Sequence, residues 1–418
     1  MSDQTHVHGV VRPRTAVLTR GFDPTLSVGS ARPAVFRSST YVFPSPEEAE
    51  HAFAITTGKI QMEDGGRADL IYSRFSHPNA EILEDQIVPL DAGGRYAAVF
   101  NSGMAAIMTA CFAYARPDST MVYTTPLYGG TTGLIHRFLK PLGVTGIPVA
   151  SGQSEAIEDA IRSASNCCIV FLETPANPTM IMTDIERAAA AAARHPDRPV
   201  VMVDNTFLGP TFQHPLMLGA HLTLYSATKY LSGYSDMLGG VAITNSSAMI
   251  QKIRGVRSMF GNIMQPDECW MLDGRLSTVA LRMNRQSKNA QRIAEALHGH
   301  KLLSRVIYPT LFTDPEQKRI FEKQCDFPGG MFSIEFQGGK EAAFEFLRHV
   351  RIARNAVSLG GVESLACHPK STTHSGMSPQ ELEESGVTDG LVRISVGVED
   401  WRDLLADFEQ ALAAVAGA

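Results

Sequence analysis

From about residue 77 onward, short apolar runs alternate with stretches of helical periodicity, and this alternation limits the possible folds more than any other feature. The runs are four or five residues long and rich in β-branched residues, as expected of strands covered on both faces. Strands joined through helices predict an α/β fold with a mainly parallel, doubly wound sheet. The predicted strands are 96–100, 120–123, 168–172, 200–203, 222–225 and 241–244, preceded by a helix at 80–90.

The sequence divides into three predicted parts. Residues 1–76 are rich in Pro, Ser, Thr and Gly and bury little of themselves, so we predict an extended N-terminal arm that lies on another part of the protein or on another subunit. Residues 77–280 form the predicted large domain, and less regular alternation over 281–418 predicts a smaller C-terminal α/β domain. The elements predicted outside the large domain are helices at 46–53, 281–298 and 400–415 and strands at 331–336 and 391–396.

The charge pattern argues against several classes of partner. The 418 residues carry a formal net charge of -6, with acidic and basic residues mixed along the chain. No basic stripe is present that would neutralise the phosphates of a nucleic acid. No run reaches the roughly 18 apolar residues of a membrane helix, and the first residues lack the apolar core of a signal peptide. We therefore expect a cytoplasmic protein with a small-molecule substrate.

Neither the cysteines nor the histidines indicate a metal site or a disulfide framework. The six cysteines include no C-x-x-C pair, and Cys167 and Cys168 are adjacent in an apolar run, which is typical of buried free thiols. The thirteen histidines are scattered and show no zinc-binding motif. No metal is expected.

Polar residues follow two of the predicted strands, where an α/β sheet binds its ligands. Ser102, Gly103 and Met104 lie between strand 96–100 and a helix, and the free N–H groups of such a turn suit a phosphate. A serine N-cap without a ligand explains Ser102 equally well. Asp204 directly follows the strand at 200–203, where it could pair with a protonated ring nitrogen. A turn aspartate is an equally good interpretation of that position alone.

Lys229 closes a third segment of this kind, Ser-Ala-Thr-Lys at 226–229, directly after a strand. The hydroxyls of Ser226 and Thr228 can hold a phosphate while the amine forms an imine with an aldehyde and later transfers protons. A solvated lysine is the alternative for this segment alone. A phosphate turn, an acid for a ring nitrogen and a strand-end lysine are together the groups that pyridoxal 5'-phosphate (PLP) requires. We therefore predict a PLP enzyme.

The pattern resembles the Cys/Met metabolism family of PLP-dependent enzymes, which includes cystathionine γ-synthase, cystathionine γ-lyase and methionine γ-lyase. The resemblance extends from about Thr19 to Leu412. It implies PLP-dependent transferase fold type I, with a seven-stranded, mainly parallel sheet flanked by helices. The segments that carry it are Tyr72-Ser73-Arg74, Ser102-Gly103-Met104, Leu127-Tyr128-Gly129, Glu173-Thr174-Pro175-Ala176-Asn177-Pro178, Val203-Asp204-Asn205-Thr206, residues 226–236, Ser358-Leu359-Gly360 and Leu391-Val392-Arg393.

The resemblance implies a role for each matching position. Lys229 is expected to carry the cofactor and move protons, Tyr128 to stack on its ring and assist the leaving group, and Asp204 to bind the ring nitrogen. Tyr72 and Arg74 are expected to reach the cofactor phosphate of the neighbouring subunit, which implies a homodimer as the catalytic unit and usually a homotetramer. The other expected ligands are Ser102, Gly103, Met104, Ser226 and Thr228 for the cofactor and Asn177, Ser358 and Arg393 for the substrate carboxylate.

The resemblance also implies γ-elimination or γ-replacement on a homoserine- or methionine-type amino acid. A β-lyase for cysteine or cystathionine, an O-acylhomoserine sulfhydrylase and a non-catalytic PLP-binding protein are the alternatives. Gly130 stands where methionine γ-lyases usually have cysteine, which weakens a dedicated methionine-degrading role. Val357 stands where cystathionine γ-enzymes often have glutamate, and an apolar wall favours an uncharged distal group. The loop 56–69 is expected to border the active-site mouth, and Cys367 is expected to be a packed thiol rather than a pocket residue.

Overall fold

The helices of the computed structural model, which describes residues 12–60 and 69–417, begin and end at signals that can be read in the sequence. Ser45 accepts the Glu48 N–H ahead of Pro46, and Gly261 ends a helix at a φ of 70°. The helices are α1 (Pro13–Thr19), α2 (Pro46–Thr56), α3 (Pro78–Ile87), α4 (Gly103–Tyr114), α5 (Gly129–Leu134), α6 (Ser154–Ser163), α7 (Ile185–Arg194), α8 (Ser247–Phe260), α9 (Pro266–Leu276), α10 (Val279–Leu297), α11 (Pro315–Gln324), α12 (Gly339–His349), α13 (Pro379–Glu384) and α14 (Trp401–Gly417).

The strands form a seven-stranded and a five-stranded sheet. The first has the order β1-β7-β6-β5-β4-β2-β3, and the second has the order β10-β11-β12-β9-β8. In the first sheet only β7 runs against its neighbours, so the predicted mainly parallel fold is confirmed. The strands are β1 (Tyr96–Phe100), β2 (Thr120–Thr125), β3 (Thr145–Ala150), β4 (Cys167–Glu173), β5 (Val200–Asp204), β6 (Leu222–Ser226), β7 (Gly240–Thr244), β8 (Leu303–Ile307), β9 (Met331–Phe336), β10 (Arg354–Asn355), β11 (Leu365–Cys367) and β12 (Leu391–Ser395).

One strand of the large sheet, β3, has no counterpart among the six apolar runs of the sequence. It is an edge strand, and no residue in it is fully buried. Gly146 and Pro148 interrupt its apolar pattern. A proline is tolerated at an edge because its missing N–H is not needed by a second neighbour. The pattern that identifies covered strands therefore does not apply to β3.

Helices cover both faces of the large sheet, as the continuous apolar runs predict. Ile169 and Phe171 of β4 belong to one buried cluster, while the alternating residues Val170 and Leu172 belong to another. All seven residues of β4 are buried. Covering a strand on both faces leaves only its ends for ligands.

The carboxyl ends of four strands meet at one edge of this sheet. β4, β5 and β6 are parallel, and β1 shares their direction because β1 and β6 are both antiparallel to β7. Glu173, Asp204 and Ser226 are therefore the last residues of neighbouring strands, and Glu173 and Asp204 are direct partners in register.

Part of the N-terminal segment packs against its own chain. The Trp270 indole N–H of α9 donates to the Pro33 carbonyl oxygen at 2.9 Å, and the Arg32 guanidinium lies over the Trp270 ring and pairs with Asp273. Contact of this arm with a neighbouring subunit remains a prediction, as do the boundaries at 76 and 280.

The middle of the predicted loop 56–69 lies outside the described residues. Within the described parts of the chain, no helix has the length and apolar character needed to cross a membrane.

Candidate active site

A cavity of about 290 Å³ opens at the edge where the parallel strands end. One side is formed by strand-end segments of the large sheet, and the other by residues 357–359 and by Arg393 of β12. Of the thirteen residues predicted for the site, eleven line this cavity. They are Ser102, Gly103, Met104, Tyr128, Asn177, Asp204, Ser226, Thr228, Lys229, Ser358 and Arg393.

The N-terminus of α4 forms one end of the cavity. The Ser102 hydroxyl caps the helix by accepting the Ala105 N–H at 3.1 Å, and its role toward a phosphate stays a prediction. A Cβ on Gly103 would lie only 2.8 Å from Cβ of Ser226, which shows how closely this turn approaches the end of β6. Free N–H groups of a helix terminus next to the hydroxyls of Ser226 and Thr228 suit a phosphate group.

Asp204 lies at the end of β5 as a buried carboxylate with no positive partner among the described residues. Its Oδ1 accepts both the N–H of Thr206 at 3.1 Å and the hydroxyl of Thr206 at 2.6 Å. Burial raises the pKa of Asp204, and the two bonds from Thr206 oppose that shift. Oδ2 takes no part in either bond. A cationic ring N–H placed at this oxygen would supply the charge that the site lacks.

The Lys229 amine lies in the same cavity and donates to the Ser358 hydroxyl at 2.9 Å. Burial, and then the nearby charge of Arg393, lower the pKa of Lys229 to about 8. A larger fraction of this amine is therefore neutral near pH 7 than of an ordinary lysine. The neutral amine is the form that attacks a carbonyl carbon and accepts a proton.

Arg393 is a buried cation whose hydrogen-bond partners among the described residues are uncharged. Its Nη1 donates to the Asn177 side-chain oxygen at 3.0 Å, and its Nη2 donates to the Ser358 carbonyl oxygen at 2.8 Å. Its Nε is buried and has no partner among the described residues. Ser358 has a positive φ of 96°, which is unusual for a residue with a side chain and typical of functional sites. A guanidinium in this state is well suited to bind a carboxylate.

Several residues that line the cavity were not assigned a role by the sequence analysis. Glu173, at the end of β4, is 5% exposed and accepts the N–H groups of Tyr128 at 2.7 Å and Asn177 at 3.3 Å. Burial, and then the charge of Asp204, raise the pKa of Glu173. Its strand-end position is the same signal that identified Asp204. The other lining residues without a predicted role include Thr206, Phe207, Leu238 and Thr373.

Two predicted cofactor ligands do not lie in this cavity. Arg74 donates to the Ser258 carbonyl oxygen at 2.6 Å, and Tyr72 is 41% exposed. A role toward a neighbouring subunit stays a prediction for both.

Cys367 is 1% exposed in β11 and does not line the cavity, so the packed-thiol interpretation is confirmed. Within residues 12–60 and 69–417, no group of three or more potential metal ligands comes together.

The arrangement fits PLP on several independent counts. The cavity has a helix N-terminus beside Ser226 at one end, a buried acid with no cationic partner among the described residues, a lysine with lowered pKa and a buried guanidinium that suits a carboxylate. The distance constraint at Gly103 is informative because a side chain there would fill the space beside Ser226. These residues would hold the phosphate, the ring nitrogen and the aldehyde carbon of the cofactor.

Comparison with known proteins gives the same result. Residues 14–413 match the family described as Cys/Met metabolism PLP-dependent enzyme. The chain is 37% identical to an L-methionine gamma-lyase of Pseudomonas deceptionensis, over 96% of this chain and 97% of that protein. It is 35% identical to a cystathionine gamma-synthase of Mycobacterium bovis, over 98% and 99% of the two chains.

The fold is also similar to that of solved relatives. The crystal structure of cystathionine gamma synthase from Xanthomonas oryzae pv. oryzae in complex with cystathionine superposes with a TM-score of 0.88. That match has 30% sequence identity and covers 98% of this chain and all of the other. The chain therefore belongs to the Cys/Met metabolism family of PLP-dependent enzymes.

Proposed function

We propose that this enzyme catalyses γ-elimination or γ-replacement on a homoserine- or methionine-type amino acid in sulfur amino-acid metabolism. The observation that carries the proposal is one cavity that joins the Lys229 amine, an unpaired Asp204 and a buried Arg393 clamp. Relatives named methionine gamma-lyase and cystathionine gamma-synthase, which match nearly the full chain, support γ-chemistry.

Each proposed role follows from the position of the side chain. Bound PLP supplies an electron sink for negative charge that develops on the substrate carbons. Asp204 keeps a proton on the ring nitrogen, and Arg393 with Asn177 binds the substrate carboxylate and fixes its orientation. The Lys229 amine removes the Cα proton and returns protons during the reaction. Tyr128 lines the cavity and is 45% exposed, and it assists departure of the γ-substituent.

The wall of the cavity supports an uncharged γ-substituent. Val357 and Leu238 line it and are 54% and 61% exposed, so both present apolar surface to a ligand. Gly130 adds no side chain, and a Cβ there would lie 2.6 Å from the Tyr128 ring. A charged distal ammonium would lose hydration against this wall without gaining a partner. A methylthio or acyloxy group meets no such penalty.

We propose a homodimer as the catalytic unit, assembled as a homotetramer and located in the cytoplasm. Tyr72 and Arg74 lie outside their own cavity, and Tyr72 is half exposed, so both are available to a neighbouring subunit. The Arg74 guanidinium also lies over the Phe75 ring at 4.9 Å, which positions this group at the surface of its own chain.

The proposal is tested by product identity. The holoenzyme is incubated with O-acetylhomoserine, O-succinylhomoserine, methionine, homocysteine and cystathionine, with and without a thiol or cysteine. Elimination from the γ-carbon yields 2-oxobutanoate and ammonia, and replacement yields a new thioether. Formation of pyruvate as the main product would identify a β-lyase instead. A protein that binds PLP and converts none of these compounds would contradict the proposal.

A further inference from the structure

Glu173 is a buried carboxyl group that the proposed roles leave unused. It ends β4 beside Asp204, and both of its oxygens accept backbone N–H groups from loops at the cavity. Oε2 accepts from Tyr128 at 2.7 Å, and Oε1 accepts from Asn177 at 3.3 Å. One side chain therefore connects the loop of the stacking tyrosine to the loop of the carboxylate clamp.

Asn177, at the carboxylate-clamp end of this connection, is held by hydrogen bonds at three of its atoms. The Asn177 N–H donates to Glu173, its side-chain oxygen accepts from Arg393 at 3.0 Å, and its carbonyl oxygen contacts His374 Nε2 at 3.1 Å. Glu173 is the only one of these three partners that also reaches Tyr128 among the described residues. Glu173 therefore joins the Asn177 peptide group directly to the Tyr128 peptide group.

The surroundings of the Glu173 carboxyl group are electrostatically unfavourable, which indicates that the group has a function. The Glu173 side chain accepts hydrogen bonds from two peptide N–H groups. Its partner in register at the end of the neighbouring strand is another carboxyl group, that of Asp204. Burying a carboxyl group beside another one costs free energy. The presence of Glu173 here therefore indicates that its hydrogen bonds serve the site. Residues that break the ordinary rules of core composition concentrate at functional sites.

We infer that Glu173 is a positioning residue that sets the substrate-carboxylate clamp through the Asn177 peptide and ties it to the Tyr128 loop. The inference rests on the proposed function, because it assigns Asn177 and Arg393 to the substrate carboxylate. It extends that function by naming the group that fixes the clamp in place.

Glu173→Gln separates the two connections. An amide has one acceptor oxygen, which remains with the shorter contact to Tyr128, and its NH2 group then faces the Asn177 N–H. The dissociation constant of L-norleucine, a substrate-shaped amino acid without a γ-leaving group, is measured from the change in cofactor absorbance. We expect it to rise about tenfold, because a buried donor is left without an acceptor. KM rises in parallel, while kcat and the affinity for PLP change less than about threefold.

A matched control is available in the C-terminal part of the chain. Asp407 is also a buried carboxyl group, and it accepts the N–H groups of Arg351, Ile352 and Ala353 far from the cavity residues. Asp407→Asn is expected to lower the melting temperature and leave the norleucine constant unchanged. A rise of the norleucine constant in this variant would overturn the assignment, because the effect would then follow from general destabilisation.

Two further variants complete the test. Glu173→Asp keeps both oxygens but withdraws them by one methylene, so its norleucine constant should also rise. Adding Glu173→Gln to Asn177→Ala should weaken norleucine binding no further than Asn177→Ala alone, because Glu173 is proposed to act on the clamp only by placing the Asn177 side chain that bonds Arg393, and Asn177→Ala removes that side chain. Additive effects, or unchanged norleucine binding in both Glu173 variants, would overturn the inference. Failure of the wild type to convert any γ-substituted amino acid would instead count against the proposed function, since norleucine binding needs no turnover.

Discussion

Asp204 and Arg393 are buried ions of opposite charge that lie in one cavity without pairing with each other. Within the part of the chain that the structure describes, Asp204 accepts only from Thr206, and Arg393 donates to an amide and a carbonyl oxygen. An unpaired buried charge costs several kcal/mol in general, so these positions are expected to be retained for binding rather than stability. In the proposed function, a cationic ring nitrogen would pair with Asp204 and a substrate carboxylate would pair with Arg393.

The lowered pKa of Lys229 makes cofactor uptake depend on pH in a defined range. Below a pH of about 8 the amine is mainly protonated and cannot attack the aldehyde; above it the neutral form dominates. We expect the rate of PLP uptake by the apoenzyme, followed by absorbance, to rise with pH, with a midpoint near pH 8, and to level off about one unit above that midpoint. A rate that keeps rising beyond pH 9.5 would show an ordinary lysine.

A charge-removal variant provides the control for this prediction. Arg393→Met removes a positive charge that lowers the pKa of Lys229, so the midpoint of uptake should move to higher pH. An unchanged midpoint would assign the titration to the free cofactor rather than to Lys229.

Residue types at strand ends allowed much of the cavity to be predicted, and the misses have physical reasons. Asp204 and Lys229 stand out because a charged residue follows a continuous apolar run. Glu173 follows such a run too, but its function depends on which distant N–H groups it meets, and sequence spacing does not reveal that. The lowered pKa of Lys229 likewise depends first on burial in the folded cavity and then on Arg393, which lies 164 positions later in the chain.

At the scale of elements, the N-terminus of α4 and the end of β6 form one surface. Gly103→Ala would place a methyl group 2.8 Å from Cβ and 2.9 Å from Cα of Ser226, so the turn or the strand end must move. Overpacking of this kind costs about 1–3 kcal/mol, and we expect the PLP dissociation constant to rise about tenfold or more. Equilibrium titration of the apoenzyme with PLP measures it.

Gly133→Ala in α5 is the matched control for this substitution. A Cβ at Gly133 meets no atom within 4 Å, and alanine favours a helix over glycine by about 0.5–1 kcal/mol. PLP affinity should stay unchanged and the melting temperature should hold or rise. Equal PLP affinity in the Gly103 variant and the wild type would argue against a phosphate at this turn.

Most elements could be predicted because their residues face the core in a regular pattern. The helix predicted at 281–298 is α10, Val279–Leu297, and the strand predicted at 391–396 is β12, Leu391–Ser395. β3 could not be predicted in this way, since an edge strand that is partly exposed needs no continuous apolar run. Short β10 and β11 are defined mainly by pairing with neighbours, which local sequence does not encode.

At the scale of the whole molecule, the site is assembled from distant parts of the chain. Lys229 follows the large sheet, whereas Arg393 belongs to the five-stranded sheet, and their cavity exists only when the two sheets are joined. The resemblance to a family could predict this assembly, but periodicity could not. The proposed third contribution, from Tyr72 and Arg74 of a neighbouring subunit, requires a dimer.

Subunit complementation tests that shared site. Lys229→Ala and Arg74→Ala subunits are each expected to be nearly inactive at limiting PLP. After subunit exchange, half of the dimers are mixed, and each mixed dimer has one intact site and one site with both lesions. About a quarter of wild-type activity should therefore return.

The control pairs two lesions that belong to the same site. Lys229→Ala mixed with Asp204→Asn leaves one lesion in every site of a mixed dimer, so no activity should return. Absence of recovery in the Lys229 and Arg74 mixture, despite verified subunit exchange, would place Arg74 outside the neighbouring site.

The central claim is that Lys229 is the attachment point of PLP, and chemical reduction tests it directly. Treatment of the holoenzyme with sodium borohydride converts a lysine–cofactor imine into a stable secondary amine, which peptide mass spectrometry then locates. We predict one pyridoxyl-phosphate adduct, on Lys229 in the peptide that contains Ser226 and Thr228. An adduct confined to another lysine, or none in protein that carries the cofactor, would contradict the account.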